Sequence, residues 1–350
     1  MNQAELALSN SDRIGLVSNL ATMLSAGIPI LEAVNSILED SRGNTKKILE
    51  ELHADLSQGK HMYVTFLKFP RVFDKVTVSV VKASEEAGTL DVTLKDLRES
   101  IRKEIEFSDK VKSSLLYPVF IIIVFLIVFL LILVVVVPKI STIFLQLRVT
   151  LPLPTRILIF LSTAIVNNAP VVLLGGTGLI ILMLYIYKRN RAAFAQIVYA
   201  LPLISQIVRE IDLTRFSRSM YLLLYSGIPI TSALELAKEV IAKKETARII
   251  GSSREMLLAG KPLSSGLRTN KGYIPTIMIK LIEAGEKTGS LDKSMLDISE
   301  YFDYQVSQTL KTFTALLEPV MLVLVGFVIG GMMVAIITPI YGLISQVGQR

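Results

Sequence analysis

The residues of this 350-residue chain that could do chemistry are few, and they recur in pairs. An acid lies three residues before a glycine at Glu85, and the same spacing returns at Glu286. No histidine, cysteine or second paired acid accompanies either carboxylate, so neither position has the constellation of a catalytic site. The pattern predicts a helix that ends at a left-handed glycine. It is compatible with a capped turn between packed helices and with a surface that docks a partner protein. The candidate docking residues are Glu85, Glu86, Gly88, Gly285, Glu286 and Gly289.

Catalytic, metal and cofactor sites are not predicted elsewhere. The chain has no cysteine, which excludes thiol nucleophiles and thiolate metal sites. A glycine followed by lysine, at Gly59 and again at Gly260, lacks the upstream glycine and the following Ser or Thr of a phosphate-binding loop. His53 and His61 have no counterparts in the second half of the chain, which favours surface or packing roles over metal binding. We therefore expect neither an enzyme nor a bound cofactor.

The paired motifs belong to one internal repeat. Gly27-Ile28-Pro29-Ile30 returns as Gly227-Ile228-Pro229-Ile230, and similar pairs follow for more than a hundred residues. The offset is 200 residues here and 201 at the later pairs, so one inserted residue accounts for it. A glycine that ends one helix and a proline in the first turn of the next predict a structural corner at Gly27 and Pro29, and at Gly227 and Pro229. The later pairs are Gly59-Lys60 with Gly260-Lys261, residues 85–91 with 286–292, and residues 115–119 with 316–320.

Composition places the chain in a membrane. Its hydrophobic content is 51% and its mean hydropathy is +0.55, both too high for an ordinary soluble protein. Uncharged apolar runs of spanning length end each repeat, at residues 119–137 and 320–338, and a third run occupies residues 170–187. We expect an all-α membrane protein with two repeated cytoplasmic helical-bundle domains and three transmembrane helices.

Lys and Arg near the ends of the spans predict the orientation. They are dense before the first span and after the second, which favours a cytoplasmic N-terminus and an extracytoplasmic C-terminus. The net charge of +7 is spread among acids, so orientation explains it better than nucleic-acid binding. The unrepeated middle span returns the chain to the cytoplasm, so both domains face one compartment. The expected boundaries are cytoplasmic domains at 1–117 and 188–317, spans at 118–138, 170–187 and 318–339, an extracytoplasmic connection at 139–169 and an extracytoplasmic tail at 340–350.

Three features mark where the chain enters and crosses the membrane. Pro118 and Pro319 are expected to kink long helices that run from about residues 90 and 291 into the first and third spans. Glu318 stands at the start of the third span, where an acid is costly unless hydrated or paired, and interfacial placement is favoured over a proton relay. Gly326 and Gly330 form a Gly-x-x-x-Gly pattern that favours close helix packing.

The repeated architecture resembles a known family, the type II secretion protein F and type IV pilus inner-membrane platform (PilC-like) proteins. The resemblance covers nearly the whole chain, but the first copy has Ser84 where the second has Gly285. It rests on the three-span layout and on residues 27–29, 227–229, 285–291 and 316–319.

The resemblance implies a non-enzymatic platform in the bacterial inner membrane. Such a platform couples a cytoplasmic hexameric ATPase to insertion or extraction of pilin or pseudopilin subunits. The implied partners also include other inner-membrane assembly proteins, membrane lipid and further copies of the chain as a homo-oligomer, and they include no nucleic acid. Replacing Glu286 by lysine is then expected to abolish pilus assembly while membrane insertion stays normal.

Two other functions compete with this one. A secondary transporter can also contain internal repeats, but its site needs discontinuous helices and polar groups near the midplane, which these spans do not offer. A membrane-anchored enzyme would need a nucleophile, a base or a metal constellation in its cytoplasmic part. Pilus, secretion and competence systems are not separated by these residues.

Overall fold

The computed structural model describes residues 5–146, 153–168, 178, 202–270 and 272–347. Within these residues the regular elements are helices and no strand is present, which confirms the all-α class. The predicted middle span, 170–187, lies outside the described residues except for Gly178.

The first repeat is a series of short helices followed by a long one. These are α1 Asn10–Ser25, α2 Ile30–Asp40, α3 Gly43–Ser57, α4 Met62–Lys68, α5 Lys75–Ala87 and α6 Leu90–Leu131. A π-helical turn, Ile132–Val136, leads into α7 Val137–Gln146, and α8 Leu153–Asn167 follows.

The second repeat has the same order of helices. They are α9 Pro202–Tyr225, α10 Ile230–Lys238, α11 Lys244–Leu258, α12 Leu263–Arg268, α13 Thr276–Thr288 and α14 Leu291–Val347. Each helix therefore has a counterpart in the first repeat at the offset read from the sequence.

The corner between the first two helices is built the same way in both repeats. Gly27 has a φ of +82° and Gly227 a φ of +79°, the left-handed conformation that glycine adopts without a Cβ penalty. Pro29 lies immediately before α2, and its carbonyl accepts the first helical hydrogen bond from Ala33 N at 2.9 Å. Pro229 does the same for α10. The prolines therefore precede the first turn by one residue instead of lying in it.

Both helical domains belong to one compact unit, formed by the first repeat up to Lys110 and by the second repeat up to Ser307. The core of this unit is aliphatic and aromatic, with side chains such as Leu20, Phe66 and Phe216 fully buried. Helices α9 and α10 of the second repeat pack against α5 of the first. The two repeats are thus joined by an interface between non-equivalent helices.

A second unit contains the apolar helices. Two helical segments, Leu90–Lys139 and Leu291–Gly331, are long and apolar enough to cross a membrane. Their apolar side chains are exposed in the protein, as Phe327 is at 82%, which suits contact with lipid. Helix continues on both sides of Pro118 and of Pro319, and past Pro138 as far as Gln146.

The π-helical turn is a contact point within this second unit. A π-turn shifts the backbone register and leaves a carbonyl free for another partner. The Leu133 carbonyl accepts a hydrogen bond from Ser162 Oγ of α8 at 2.7 Å, and Ser162 is buried. Helix α8 therefore packs along the end of the first apolar helix.

The Gly-x-x-x-Gly pattern lies on an open face of α14. A Cβ added to Gly326 or Gly330 would meet no atom within 4 Å. The close helix packing expected at these glycines is therefore not made by the part of the chain described here, and it stays a prediction for an assembly.

Candidate docking surface

The paired acids Glu85 and Glu286 are anchored inside the domains. Each lies in the last turn of its helix, α5 or α13, and points at the start of the short helix that comes before it. Glu85 accepts hydrogen bonds from Met62 N at 2.7 Å and Tyr63 N at 3.0 Å. Both oxygens of the Glu85 carboxylate are therefore bound to backbone donors that α4 itself cannot satisfy.

Glu286 repeats this arrangement one repeat later. Its carboxylate accepts hydrogen bonds from Leu263 N and from Ser264 N, the latter at 3.3 Å, at the start of α12. The negative charge also faces the positive end of that helix's dipole. The acid kept in both copies therefore has a structural task, and the docking role assigned to it from the sequence stays a prediction.

Each acid is followed by a left-handed glycine that turns the chain into the long helix. Gly88 has a φ of +67° and Gly289 a φ of +70°. The residue after each glycine donates its N–H back to the preceding helix, Thr89 to the Ser84 carbonyl at 2.9 Å and Ser290 to the Gly285 carbonyl at 3.0 Å. These bonds close the helix as a Schellman-type end does. Helices α6 and α14 begin immediately after this turn.

The first repeat has Ser84 where the second has Gly285, and helix packing explains this difference. A Cβ added to Gly285 would lie 2.5 Å from Ser294 Oγ and 3.0 Å from Leu291 Cα, so α13 and α14 approach too closely for a larger residue. In the first repeat Ser84 occupies the same position, is buried and donates its Oγ to the Val81 carbonyl at 2.9 Å. The glycine therefore serves helix packing in the second repeat and is not needed in the first.

The exposed side chains of the two turns carry opposite charges at matching positions. On α5, Lys82 lies 3.9 Å from Glu86, one helical turn further on. At the equivalent positions of α13 the order is reversed, with Glu283 accepting from Lys287 at 2.9 Å. The two repeats thus share their part-buried acid and their glycine, and they differ in the sign of the charges that face solvent.

The surroundings of these pairs differ as well. In the first repeat Lys82 lies 5.5 Å from the centre of the Tyr63 ring, and Leu67 of α4 is exposed. In the second repeat Arg268 replaces that leucine and binds Glu283. The first surface therefore combines a lysine with aromatic and aliphatic side chains, and the second is a network of charges.

The sequence did not single out a buried charge cluster behind α4. Asp55 of α3 accepts hydrogen bonds from Lys60 at 3.0 Å, from Lys68 at 2.5 Å and from Thr65 at 2.8 Å. Burial alone would raise the pKa of Asp55, but these hydrogen bonds outweigh it and lower that pKa to about 2. The second repeat has Met256 at this position, so the cluster belongs to the first repeat alone. Of the motifs in the sequence, only the Gly59-Lys60 pair contributes a residue, Lys60, to this cluster.

Among the described residues, no group of three or more His, Asp or Glu side chains could hold a metal ion. His61 lies 3.9 Å from Glu85 and stacks on the Tyr63 ring, and it has no further acidic or histidine neighbour in a metal-binding arrangement.

Within the membrane unit, Glu318 borders an apolar groove of about 350 Å³. Side chains of α6 and α14, such as Phe125 and Met321, form its walls, and Glu318 is its one charged lining residue among those described. The interfacial placement expected for this acid stays a prediction, and the described lining of the groove contains no chain of proton carriers.

Comparison with known proteins shows that both repeats match one protein family. Residues 16–138 and residues 216–339 each match the family model described as "Type II secretion system (T2SS), protein F". The starts of the two matches differ by 200 residues and the ends by 201, which reproduces the offset found in the sequence. The matches together cover more than half of the chain.

Curated relatives resemble the chain over nearly its full length. The type IV pilus assembly protein PilC of Thermus thermophilus is 29% identical over 335 residues, covering 95% of this chain and 82% of the relative. The type 4 fimbrial assembly protein PilC of Pseudomonas putida is 27% identical, covering 96% and 85%. The type II secretion system protein F of Pseudomonas aeruginosa is 28% identical, covering 97% and 85%.

Proposed function

Because this chain belongs to the type II secretion system protein F family, we propose that it is a non-enzymatic platform in a bacterial inner membrane. At this platform a cytoplasmic hexameric ATPase acts on pilin or pseudopilin subunits, which are inserted into or extracted from a filament. Relatives named for pilus assembly and for type II secretion, together with two apolar helices of spanning length, support this role.

We place both helical domains in the cytoplasm and the C-terminus outside, with three spans. The distribution of Lys and Arg supports this topology, as does the packing of the two repeats in one compact unit, which requires them to share a compartment. The open glycine face at Gly326 and Gly330 supports assembly of several copies through α14.

The long helices provide a mechanical link in this proposal. Helix α6 starts two residues after Gly88, and α14 starts two residues after Gly289, and each continues into an apolar run. A push or rotation applied at either turn would reach the membrane through one continuous helix. Pilin subunits beside the spans would then be displaced.

The inverted charge pairs carry the docking part of the proposal. Because Lys82 and Glu86 occupy the positions of Glu283 and Lys287, one partner surface cannot complement both turns equally. We assign the two turns to different partner surfaces, one on the ATPase and one elsewhere in the machine. The part-buried acids Glu85 and Glu286 hold these turns in place.

A charge swap tests this assignment without removing an ion pair. The double variant Lys82→Glu with Glu86→Lys keeps the net charge and the spacing of the pair, and it places the acid before the base, the favoured order on a helix. We expect the variant to insert and fold normally but to lose filament assembly or secretion in cells that lack the original protein. Co-purification of the ATPase would show whether this turn is its docking site.

The matched control is the same swap on α3, Lys46→Glu with Glu50→Lys, at exposed positions four residues apart. It should leave assembly unchanged. Normal assembly by the Lys82 and Glu86 swap, together with normal assembly by the corresponding swap at Glu283 and Lys287, would overturn the docking assignment.

A further inference from the structure

A cavity of about 230 Å³ lies where the two repeats meet, inside the compact unit that contains both. Three arginines line it: Arg13 from α1, and Arg215 and Arg218 from α9. We propose that this cavity binds a phosphate-sized oxyanion. The inference rests on the cavity alone and is independent of the role proposed above.

Arg13 is the main reason for this assignment. Its side chain is half-buried, and its Nε is inaccessible to solvent and has no hydrogen-bond partner. No acidic side chain pairs with it among the described residues. Because Arg13 lines the cavity and no carboxylate of the described residues pairs with it, an oxyanion there could bind its other N–H donors.

The other two arginines are already paired with carboxylates. Arg215 Nε donates to Glu104 at 2.9 Å, and Arg218 donates to Glu104 at 3.2 Å and to Asp303 at 3.4 Å. The side chain of Arg218 is only 8% exposed, and its Nε also lacks a partner. Two neighbouring guanidinium groups therefore share one lining carboxylate.

The acids around the cavity are already engaged. Glu104 is bound by Arg215 and Arg218, and Asp74 accepts a hydrogen bond from Thr77 N at 2.7 Å, where it caps α5. The three lining arginines outnumber these two lining carboxylates. Of the three arginines, Arg13 alone has no carboxylate within ion-pair distance among the described residues.

The size and chemistry of the cavity select the ligand. A volume of 230 Å³ corresponds to roughly eight water molecules, at about 30 Å³ each, and lies below the range of about 300–1,000 Å³ usual for organic ligands. Guanidinium groups bind phosphate through paired charge-assisted hydrogen bonds. The fit is to a free phosphate-like anion, not to a phosphoryl group carried on a nucleotide.

Binding here would connect the repeats. Arg13 belongs to the first repeat and Arg215 and Arg218 to the second, so an anion held by both sides would add a bridge across their interface. Anything that binds the folded state in this way raises its stability with ligand concentration.

Thermal unfolding of the full chain in detergent tests the proposal. Inorganic phosphate is titrated against chloride at constant ionic strength, and adenosine monophosphate is titrated in parallel. We expect a saturable rise in Tm with phosphate and none with the nucleotide. In Arg13→Gln the apparent affinity for phosphate should fall about tenfold or more, as loss of a charge-assisted hydrogen bond predicts.

Two further variants make the result specific. Arg248→Gln, at an exposed position outside the cavity, should behave as the original chain does. Glu104→Gln removes the carboxylate that occupies Arg215 and Arg218, so it should bind phosphate several-fold more tightly. The proposal is overturned if phosphate gives no saturable shift, if Arg13→Gln keeps the full shift, if Glu104→Gln binds more weakly, or if the nucleotide stabilises as phosphate does.

Discussion

Gly285 and Ser294 approach so closely that a Cβ on the glycine would stand 2.5 Å from the serine Oγ and 2.9 Å from its Cβ. Rotation of the serine could relieve the first contact, but the second involves an atom fixed to the backbone. The Cα of Leu291 closes the other side at 3.0 Å. This contact holds the start of α14 against the end of α13, where the proposed docking turn lies.

Substitution of this glycine should therefore destabilise the second repeat. We expect Gly285→Ala to lower the free energy of unfolding by about 1–3 kcal/mol, the usual cost of overpacking a close contact. The control is Gly15→Ala on α1, where a Cβ meets no atom within 4 Å and alanine's higher helix propensity should stabilise slightly. Thermal unfolding of the purified chain distinguishes the two, and equal stability of both variants would contradict the packing explanation.

Removal of the part-buried acid Glu286 should loosen α12. Glu286→Ala deletes the acceptor of two backbone N–H groups, at Leu263 and Ser264, and should cost about 1–2 kcal/mol. Amide hydrogen exchange should accelerate at those two residues first. Glu286→Gln retains a carbonyl acceptor and should lose less protection. Unchanged exchange in the alanine variant would show that the carboxylate does not hold this helix end.

This expectation changes how Glu286→Lys must be interpreted. A lysine at this position removes the acceptor as well as the negative charge, so a loss of assembly could follow from a loosened turn. Exchanging the charges of Glu283 and Lys287 leaves Glu286 and its backbone hydrogen bonds untouched. The ion pair that the exchange removes, between Glu283 and Arg268, lies at the surface.

Low pH should reduce the folding stability of the first repeat, because Asp55 becomes protonated. Its pKa in the folded chain is about 2, below the ordinary value of 3.8, so the folded state favours the ionised carboxylate. This contribution is fully present above about pH 4 and is lost as pH falls towards 2. This lowering of the pKa corresponds to about 2–3 kcal/mol at most.

The measurement compares unfolding of the original chain and of Asp55→Asn across this range of pH. The stability difference between them should shrink as pH falls from 5 to about 2. Asp40→Asn, at the exposed end of α2, is the control. A difference that stays constant with pH would show that the ionised Asp55 is not what Lys60 and Lys68 stabilise.

The membrane topology can be mapped with single cysteines, since the chain contains none of its own. With three spans, cysteines at Ser41 and Thr269 should both react with a membrane-impermeant maleimide only after the inner face is exposed. A cysteine at Gln146 should react in intact spheroplasts. Labelling of Ser41 and Thr269 from opposite faces would contradict the three-span topology.

Sequence reasoning predicted the elements that depend on local chemistry. Gly27, Gly88 and their repeat partners have the left-handed conformation that a helix-ending glycine suggests, and the long helices start at the expected residues. These features follow from neighbours in the chain, which is why spacing alone could reveal them.

Features that depend on distant residues were not predicted. The backbone donors bound by Glu85 come from 22 and 23 residues earlier, and the pairing of Glu104 with Arg215 joins the two repeats. Positions equivalent to Arg215 and Arg218 in the first repeat are Gly15 and Ser18, so repetition gave no hint of this contact. The charge inversion at Lys82 and Glu283 was visible in the aligned repeats, but only burial showed that these side chains, and not the shared acid, face solvent.

The packing of α9 and α10 on α5 joins two halves that are similar but not identical. In a dimer of identical chains, one gene would encode both halves. A mutation that changed the charge of one surface would therefore change the other surface as well. Here each surface is encoded by its own part of the gene, and every molecule carries one copy of each surface. Selection can therefore adjust the partner of one turn while the partner of the other is kept.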